Sequence, residues 1–133
     1  MKYAGKLFLM IFIYLAFISC KKDQTGVITG KWNLVNDSIV SGTGPQIGIK
    51  NYIGVSGDYF DFRTNGYLYI KEGAKLDTLS YNVSFGNKIL ISSFGWSGST
   101  SDITMLAAHN ATIHAPNIVN PGGYYERFVY LER

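Results

Sequence analysis

The stretch Leu79-Ser80-Tyr81-Asn82-Val83-Ser84-Phe85 places an apolar or aromatic residue at every odd position and a small polar residue at every even one. Successive side chains of a β-strand point to opposite faces, so this alternation predicts a strand whose odd residues face a hydrophobic interior. No stretch of residues 29–133 shows a convincing helical period. This part of the chain is therefore predicted to be all-β.

Short runs of similar character lie on both sides of this stretch. They are rich in Tyr, Phe, Val and Ile, which favour strands, and Gly, Asn and Pro separate them. The eight predicted strands are 30–40, 58–63, 67–72, 76–85, 88–93, 101–108, 112–115 and 124–133. Their even spacing and mostly short connections favour an eight-stranded antiparallel up-and-down β-barrel, with a two-layer sandwich as the alternative.

Two turns leave the strand register open. A three-residue loop at 64–66 would pair Arg63 with Tyr67 and put Gly66 in the left-handed conformation of a bulged turn. A two-residue Asn-Gly turn is the competing interpretation, and it would send the apolar residues of the second strand to the other face. The turn near Gly86 has the same ambiguity.

The N-terminal segment predicts export and lipid anchoring. Its apolar run, 7–18, would span about 18 Å as a helix, which is too short for the roughly 30 Å core of a bilayer. Ser19 and the only cysteine of the chain, Cys20, follow directly. This arrangement resembles a bacterial lipoprotein signal peptide, whose cleavage would leave Cys20 as an acylated first residue.

These boundaries predict three parts: a signal peptide helix over 1–19, a lipidated tether over 20–28 and one barrel domain over 29–133. A lipid on Cys20 implies attachment to a membrane of the cell envelope. The expected location is the outer membrane, either at its periplasmic face or at the cell surface. The domain is expected to be a monomer.

Charge and composition exclude several classes of function. The formal net charge of +3 falls by two when Lys2 and Lys6 leave with the signal peptide, so no nucleic-acid partner is expected. His109 and His114 are five residues apart and would point to opposite faces of one strand, which is unsuitable for a shared metal ion. No metal, cofactor or catalytic site is predicted, and the chain is expected not to be an enzyme.

A family resemblance rests on short motifs in fixed order. Gly30-Lys31-Trp32 opens the first of the predicted strands, a hairpin that begins Tyr59-Phe60-Asp61-Phe62 and ends in Asn65-Gly66 follows, and Ile103-Thr104-Met105-Leu106 precedes a closing aromatic strand. The pattern resembles the lipocalins, and with the tether it is similar to small bacterial lipocalin-like lipoproteins. The resemblance covers roughly residues 28–133.

The lipocalin resemblance implies how one end of the barrel is closed. Gly30 and Trp32 would lie at that end, with the indole as a plug. An arginine of the last strand would place its guanidinium across the indole, a contact worth about 0.5–2 kcal/mol. Arg133 fits this role best, and Arg127 is its rival.

The same resemblance implies a pocket for a small hydrophobic ligand. The candidate wall residues are Phe60, Phe62, Leu68, Ile70, Tyr81, Val83, Phe85, Met105, Tyr125, Arg127, Val129 and Leu131. A buried Arg127 needs an anionic partner, since an isolated charge is very costly to bury. That partner is either the carboxylate of an acidic ligand or one from the chain, such as Asp61 or Glu126; a register shift toward solvent is the third alternative.

The connection 41–57 is the longest in the domain. It contains several apolar side chains, which a purely solvated loop would not need. As in lipocalins, it would fold over the barrel mouth as a lid, and the lid candidates are Ile47, Ile49, Tyr52 and Ile53. A loop packed permanently as a plug is the alternative.

Two functions of different classes follow. The first is a membrane-anchored, non-catalytic lipocalin-like binder of a small apolar molecule, either neutral or acidic, which predicts an internal cavity. The alternative is an envelope or cell-surface interaction module whose barrel is filled and whose loops bind a protein or glycan. It predicts a solid core and exposed aromatic residues around Trp96 and the loop 116–123.

Overall fold

The structure is a computed structural model in which the described residues are 27–84, 87–95, 100–116 and 123–133. The predicted signal peptide over 1–19 lies outside these ranges, as do Cys20, Phe85 and Trp96. Within them, no helix has the length and apolar character needed to cross a membrane.

The described residues form nine strands: β1 (Gly30–Thr43), β2 (Gln46–Ile53), β3 (Tyr59–Phe62), β4 (Tyr67–Glu72), β5 (Lys75–Val83), β6 (Lys88–Ile91), β7 (Ser101–Leu106), β8 (Asn110–Ala115) and β9 (Tyr124–Glu132). Each strand from β3 to β8 pairs antiparallel with its successor, and β1 pairs with both β3 and β9. These eight strands therefore close into an antiparallel barrel. The predicted fold class is confirmed, and the sandwich alternative is wrong.

Strand β2 lies where the sequence predicts a loop. It forms a hairpin with residues 36–43 of β1 across a two-residue turn, in which Gly44 has a φ of 59°. β3 pairs with the same edge of β1 over its first four residues, so β2 and β3 follow one another along that edge. The hairpin formed by residues 36–43 of β1 and by β2 is called the arm below. It lies beyond the end of β3 along β1.

A sharp turn between β2 and β3 keeps both strands on this edge. Gly54 donates its N–H to the carbonyl of Val35 at 3.0 Å, and the N–H of Asp58 donates to the carbonyl of Val55 at 3.0 Å. A Cβ atom added to Gly54 would come within 1.9 Å of the carbonyl oxygen of Leu34. Only glycine allows this close approach of the two backbones.

Both ambiguous turns have a definite register. Phe62 lies opposite Leu68, the N–H of Arg63 donates to the carbonyl of Tyr67 at 2.9 Å, and Gly66 has a φ of 81°. The turn is therefore the three-residue loop with a left-handed glycine. At the other turn Val83 lies opposite Ile89, and Ile89 is buried.

Side chains on the inner face of the barrel form one hydrophobic core. Its largest fully buried members include Trp32, Phe60, Phe62, Phe94 and Ile28. In β5, Tyr81 is buried, and Leu79 and Val83 pack against the core. The odd residues of this stretch that the structure describes therefore face inward, as the alternation predicts.

Candidate functional site

The end of the barrel where β1 begins is closed by Trp32. Its side chain has no exposed surface, and its Nε1 atom donates a hydrogen bond to the carbonyl of Ile28 at 2.7 Å. The guanidinium carbon of Arg133 lies 3.7 Å from the centroid of the indole. Arg127 lies elsewhere, at the opposite end of the inner face of β9.

Arg133 also holds the segment that leads into β1. Its Nη2 atom donates to the carbonyls of Val27 at 3.0 Å and Thr29 at 2.7 Å. Gly30 has a φ of 115°, and a Cβ atom placed there would lie 3.4 Å from the same Nη2 atom. The arginine thus ties the N-terminal approach of the domain to the tryptophan plug.

The interior next to this plug is filled. Seven predicted wall residues are buried with exposures of 0 to 9%: Phe60, Phe62, Leu68, Ile70, Tyr81, Val129 and Leu131. The ring of Phe62 meets that of Tyr81 edge-on with 5.2 Å between centroids, and Phe60 meets Phe94 in the same way at 6.5 Å. A side chain without accessible surface borders no void large enough for a water molecule, so Phe60, Phe62, Leu68 and Val129 line no ligand cavity.

The prediction that Met105 faces the interior is wrong. A β-bulge between Ile103 and Met105 lets two residues of β7 oppose one residue of β8. The alternation is therefore inverted after Ile103, and Met105 is 47% exposed, whereas Leu106 packs against the core.

At the opposite end of the inner face, Arg127 is paired with a carboxylate of the chain. Its Nε atom donates to Asp37 Oδ1 at 3.0 Å, and its Nη2 atom donates to Asp37 Oδ2. The two side chains are 12% and 3% exposed. The two carboxylates considered from the sequence are engaged elsewhere, Asp61 with Arg63 and Glu126 with His114.

Arg127 also fixes the loop that follows β6. Its guanidinium carbon lies 4.2 Å from the ring centroid of Phe94, and its Nη1 atom donates to the carbonyl of Phe94 at 3.4 Å. The hydroxyl of Tyr125 donates to that carbonyl at 3.2 Å. The group called the mouth cluster below consists of Asp37, Glu72, Phe94, Tyr125 and Arg127.

Glu72 completes the mouth cluster from β4. Its Oε1 atom lies 3.5 Å from Arg127 Nη2, and its side chain is 15% exposed. Burial raises the pKa of Glu72 from 4.5 to about 7, and the hydrogen bond and negative charge of Asp37 add to this effect. Near neutral pH the carboxyl group of Glu72 therefore changes its charge beside the guanidinium of Arg127.

The raised pKa of Glu72 makes stability depend on pH. Because the folded-state pKa exceeds the ordinary value, the contribution of Glu72 is fully present below about pH 4.5 and is lost as pH rises through about 7. Glu72→Gln is expected to raise Tm at pH 8 by about 5 °C, the shift that roughly 1 kcal/mol gives in a domain of this size. At pH 5.5 the gain should shrink. Thermal unfolding across this range checks the prediction, with Glu132→Gln as control; a gain independent of pH would contradict it.

The lid prediction is wrong for three of its four residues. Ile47, Ile49 and Ile53 lie on β2 and are 53%, 74% and 61% exposed, because paired strand residues on the outer face of the arm have no layer above them. Tyr52 lies on the other face and is half-buried. Its hydroxyl donates to Asp58 Oδ2 at 2.6 Å, and this bond is the main reason why the pKa of Tyr52 rises to about 12.

Asp58 anchors the base of the arm. Its buried carboxylate accepts hydrogen bonds from the N–H groups of Val55 at 2.9 Å and Gly73 at 2.8 Å, besides that from Tyr52. Burial alone would raise the pKa of Asp58, but these hydrogen bonds outweigh it and lower the pKa. The arm is thereby fixed to the turn between β4 and β5.

The outer face of the arm continues onto β9 and is largely apolar. Register places Ile47 beside Gly42 and Tyr124, Ile49 beside Val40 and Glu126, and Ile53 beside Asn36 and Tyr130. This surface, called the arm face, consists of Ile47, Ile49, Ile53, Val40, Tyr124, Phe128 and Tyr130. Its aliphatic side chains on β2 are the most exposed part.

Hydrogen bonds hold the carboxylate of Glu126 on this surface. Glu126 accepts hydrogen bonds from the Tyr124 hydroxyl at 2.6 Å and lies 2.7 Å from His114 Nε2. The Tyr124 bond, followed by the His114 bond, lowers the pKa of Glu126. The ring of His114 stacks on Phe128 with 4.2 Å between centroids, so these groups form one ordered polar and aromatic border.

Asp37, Glu72 and Phe94 are the residues of the mouth cluster that the sequence does not predict. A register shift between Leu34 and Asn36 changes which residues of β1 face inward, so alternation counted from Trp32 would put Asp37 outside. One signal in the sequence could have identified Asp37: it is an acidic residue within a strand whose other residues suit a core.

Comparisons with protein-family models, with curated proteins and with solved structures find no match to this chain. Within the described residues, no group of three or more His, Cys, Asp or Glu side chains is arranged to hold a metal ion. The functional argument therefore rests on the geometry of the barrel, the mouth cluster and the arm face.

Proposed function

We propose that this chain is a non-catalytic interaction module of the cell envelope, a lipocalin-like barrel tethered through lipidated Cys20 to the outer membrane. The arm face is the surface that binds a partner protein. The observation that carries the proposal is the row of Ile47, Ile49 and Ile53, each more than half exposed. Contiguous exposed apolar patches of a few hundred Å² on monomeric proteins commonly mark such contacts.

Two further features support a protein partner. The interior next to Trp32 is filled by side chains, which suits a rigid scaffold. The arm face is built mainly from aliphatic residues with aromatic residues along β9, and this composition fits a protein contact better than a glycan contact.

The second candidate function is binding of a small apolar molecule at the end of the barrel opposite Trp32. Tyr125 and Arg127 are only partly buried there, which favours this candidate. An acidic ligand would have to displace Asp37 from the guanidinium, at the cost of leaving a buried carboxylate unpaired. This competition makes the mouth cluster a weaker recognition site than the arm face.

Site-specific photo-crosslinking in the native membrane tests the proposal. A photoreactive residue at position 49 is expected to give a discrete protein adduct. The matched control is position 76, because Leu76 is 69% exposed and Ile49 is 74% exposed, but Leu76 lies on β5, outside the arm.

The adduct should fall at least about tenfold when Ile47→Asp is added, as expected for loss of more than 1.4 kcal/mol of binding free energy. Equal adducts from positions 49 and 76 would exclude the arm face as the binding surface. A small molecule retained in native mass spectrometry, without any adduct at position 49, would favour the ligand-binding candidate instead.

A further inference from the structure

Strand β2 has one free edge. It pairs with β1 on one side and stands last in the strand order of the sheet, with no neighbour on its other side among the described residues. An unpaired edge presents N–H and C=O groups that another strand can bind, and exposed apolar edge strands are usually protected against such pairing.

The hairpin geometry decides which residues present these groups. Thr43 lies opposite Gln46 across a two-residue turn, so this closing pair is hydrogen-bonded and the bonded pairs recur at the even residues of β2. The hydrogen bond from the Gly54 N–H to the Val35 carbonyl agrees with this pattern, because residue 54 is also even. The odd residues, Ile47, Ile49, Asn51 and Ile53, therefore direct their N–H and C=O groups to the free edge.

Lys50 lies in the middle of this edge strand. Among the lysines and arginines that the structure describes, it alone has no carboxylate, carbonyl or aromatic ring as a partner in the described contacts. Its side chain is exposed and points to the face opposite Ile47, Ile49 and Ile53.

Lys50 disfavours one antiparallel pairing of β2 with a second copy of itself. The antiparallel register that places Ile47 opposite Ile53 of the other copy also places Lys50 opposite Lys50, and like charges at directly opposed positions are destabilising. A strand with a carboxylate at that position would instead gain a cross-strand ion pair. Lys50 therefore disfavours a strand with a positive charge at the opposed position and favours a strand with a carboxylate there.

We propose that the free edge of β2 binds an extended segment of a partner protein by strand addition, and that this segment has apolar residues at alternate positions with an acidic residue opposite Lys50. The inference rests on the proposed function and specifies the partner of the arm. The alternate apolar residues would extend the arm face, and the main chain would pair with the odd residues of β2.

The test uses the mature lipidated protein in detergent and two synthetic nine-residue peptides. In the first, four valines alternate with threonines and an aspartate occupies the centre; in the second, a lysine replaces the aspartate. The aspartate peptide is expected to bind about tenfold more tightly, because an attractive cross-strand pair replaces a repulsive one. Fluorescence anisotropy measures both affinities.

Two variants and one further readout separate the edge from other surfaces. Lys50→Glu should reverse the peptide preference, whereas Lys31→Glu, which changes the net charge equally at the closed end, should leave it unchanged. On binding, hydrogen exchange should slow at the amides of Ile47, Ile49, Asn51 and Ile53, and not at the even residues, which already bond to β1.

The inference fails if neither peptide binds, if both bind equally, or if Lys50→Glu leaves the preference unchanged. It also fails if the chain dimerises through β2, detected by sedimentation and abolished by Ile49→Pro, which removes an edge N–H. If no peptide binds but position 49 still crosslinks to a protein, the inference is wrong and the proposed function stands. If no peptide binds and position 49 gives no protein adduct, both the inference and the proposed function are wrong.

Discussion

An Arg127→Leu variant is expected to lose about 3–5 kcal/mol of unfolding free energy, because it leaves the Asp37 carboxylate buried without its cation. The loss includes the contacts of the guanidinium with Phe94, whose carbonyl would keep only the Tyr125 hydroxyl as a partner in the mouth cluster. Urea denaturation at neutral pH measures the change.

A double variant distinguishes this ion pair from simple loss of packing. Arg127→Leu combined with Asp37→Leu removes both charges and should recover most of the lost stability, since replacing a buried pair by apolar residues is often neutral. Lys88→Leu, which breaks a more exposed pair with Asp102, should cost less than about 1 kcal/mol. A double variant as unstable as Arg127→Leu would show that the pair itself is not the cause.

Trp32→Ala should have an effect of similar size at the closed end, about 3–5 kcal/mol, since it removes the largest fully buried side chain and leaves a cavity. Arg133→Ala should cost about 1–2 kcal/mol through loss of the stacked guanidinium and its charged hydrogen bonds. Chemical denaturation followed by circular dichroism measures both.

The coupling free energy between Trp32 and Arg133 is a more specific test than the loss of stability in either single variant. If Arg133 acts through the indole, Arg133→Ala should cost less in the Trp32→Ala background than in the wild type, whereas Trp32→Phe should preserve part of the coupling. Additive effects of the two single changes would contradict the stacking account. They would indicate that Arg133 acts only through the carbonyls of the segment before β1.

Much of the fold follows from sequence pattern, because one-sided burial imposes alternation. β4 has the predicted limits, Tyr67–Glu72, and the three-residue loop with Gly66 follows from the requirement that apolar residues on both strands share a face. The strand β2 could not be predicted in this way. Both its faces are exposed apart from Tyr52, so burial imposes no pattern on it.

The mouth cluster was less predictable than the closed end. Trp32 and Arg133 lie in recognisable sequence motifs. The ion pair of Asp37 with Arg127 instead depends on a register shift in β1 that no residue type in the sequence indicates. Met105 was misplaced for the same reason, by the bulge in β7. In both strands a single extra residue reverses which side chains enter the barrel.

The length of β1 has a mechanical consequence. Its fourteen residues form one strand from the tryptophan plug to the tip of the arm, a span of about 45 Å. A pull on the tip, with the base held, would act along this strand and strain its many bonds to β9 together, in shear. Such a strand should resist stretching far better than one whose bonds open in turn from one end.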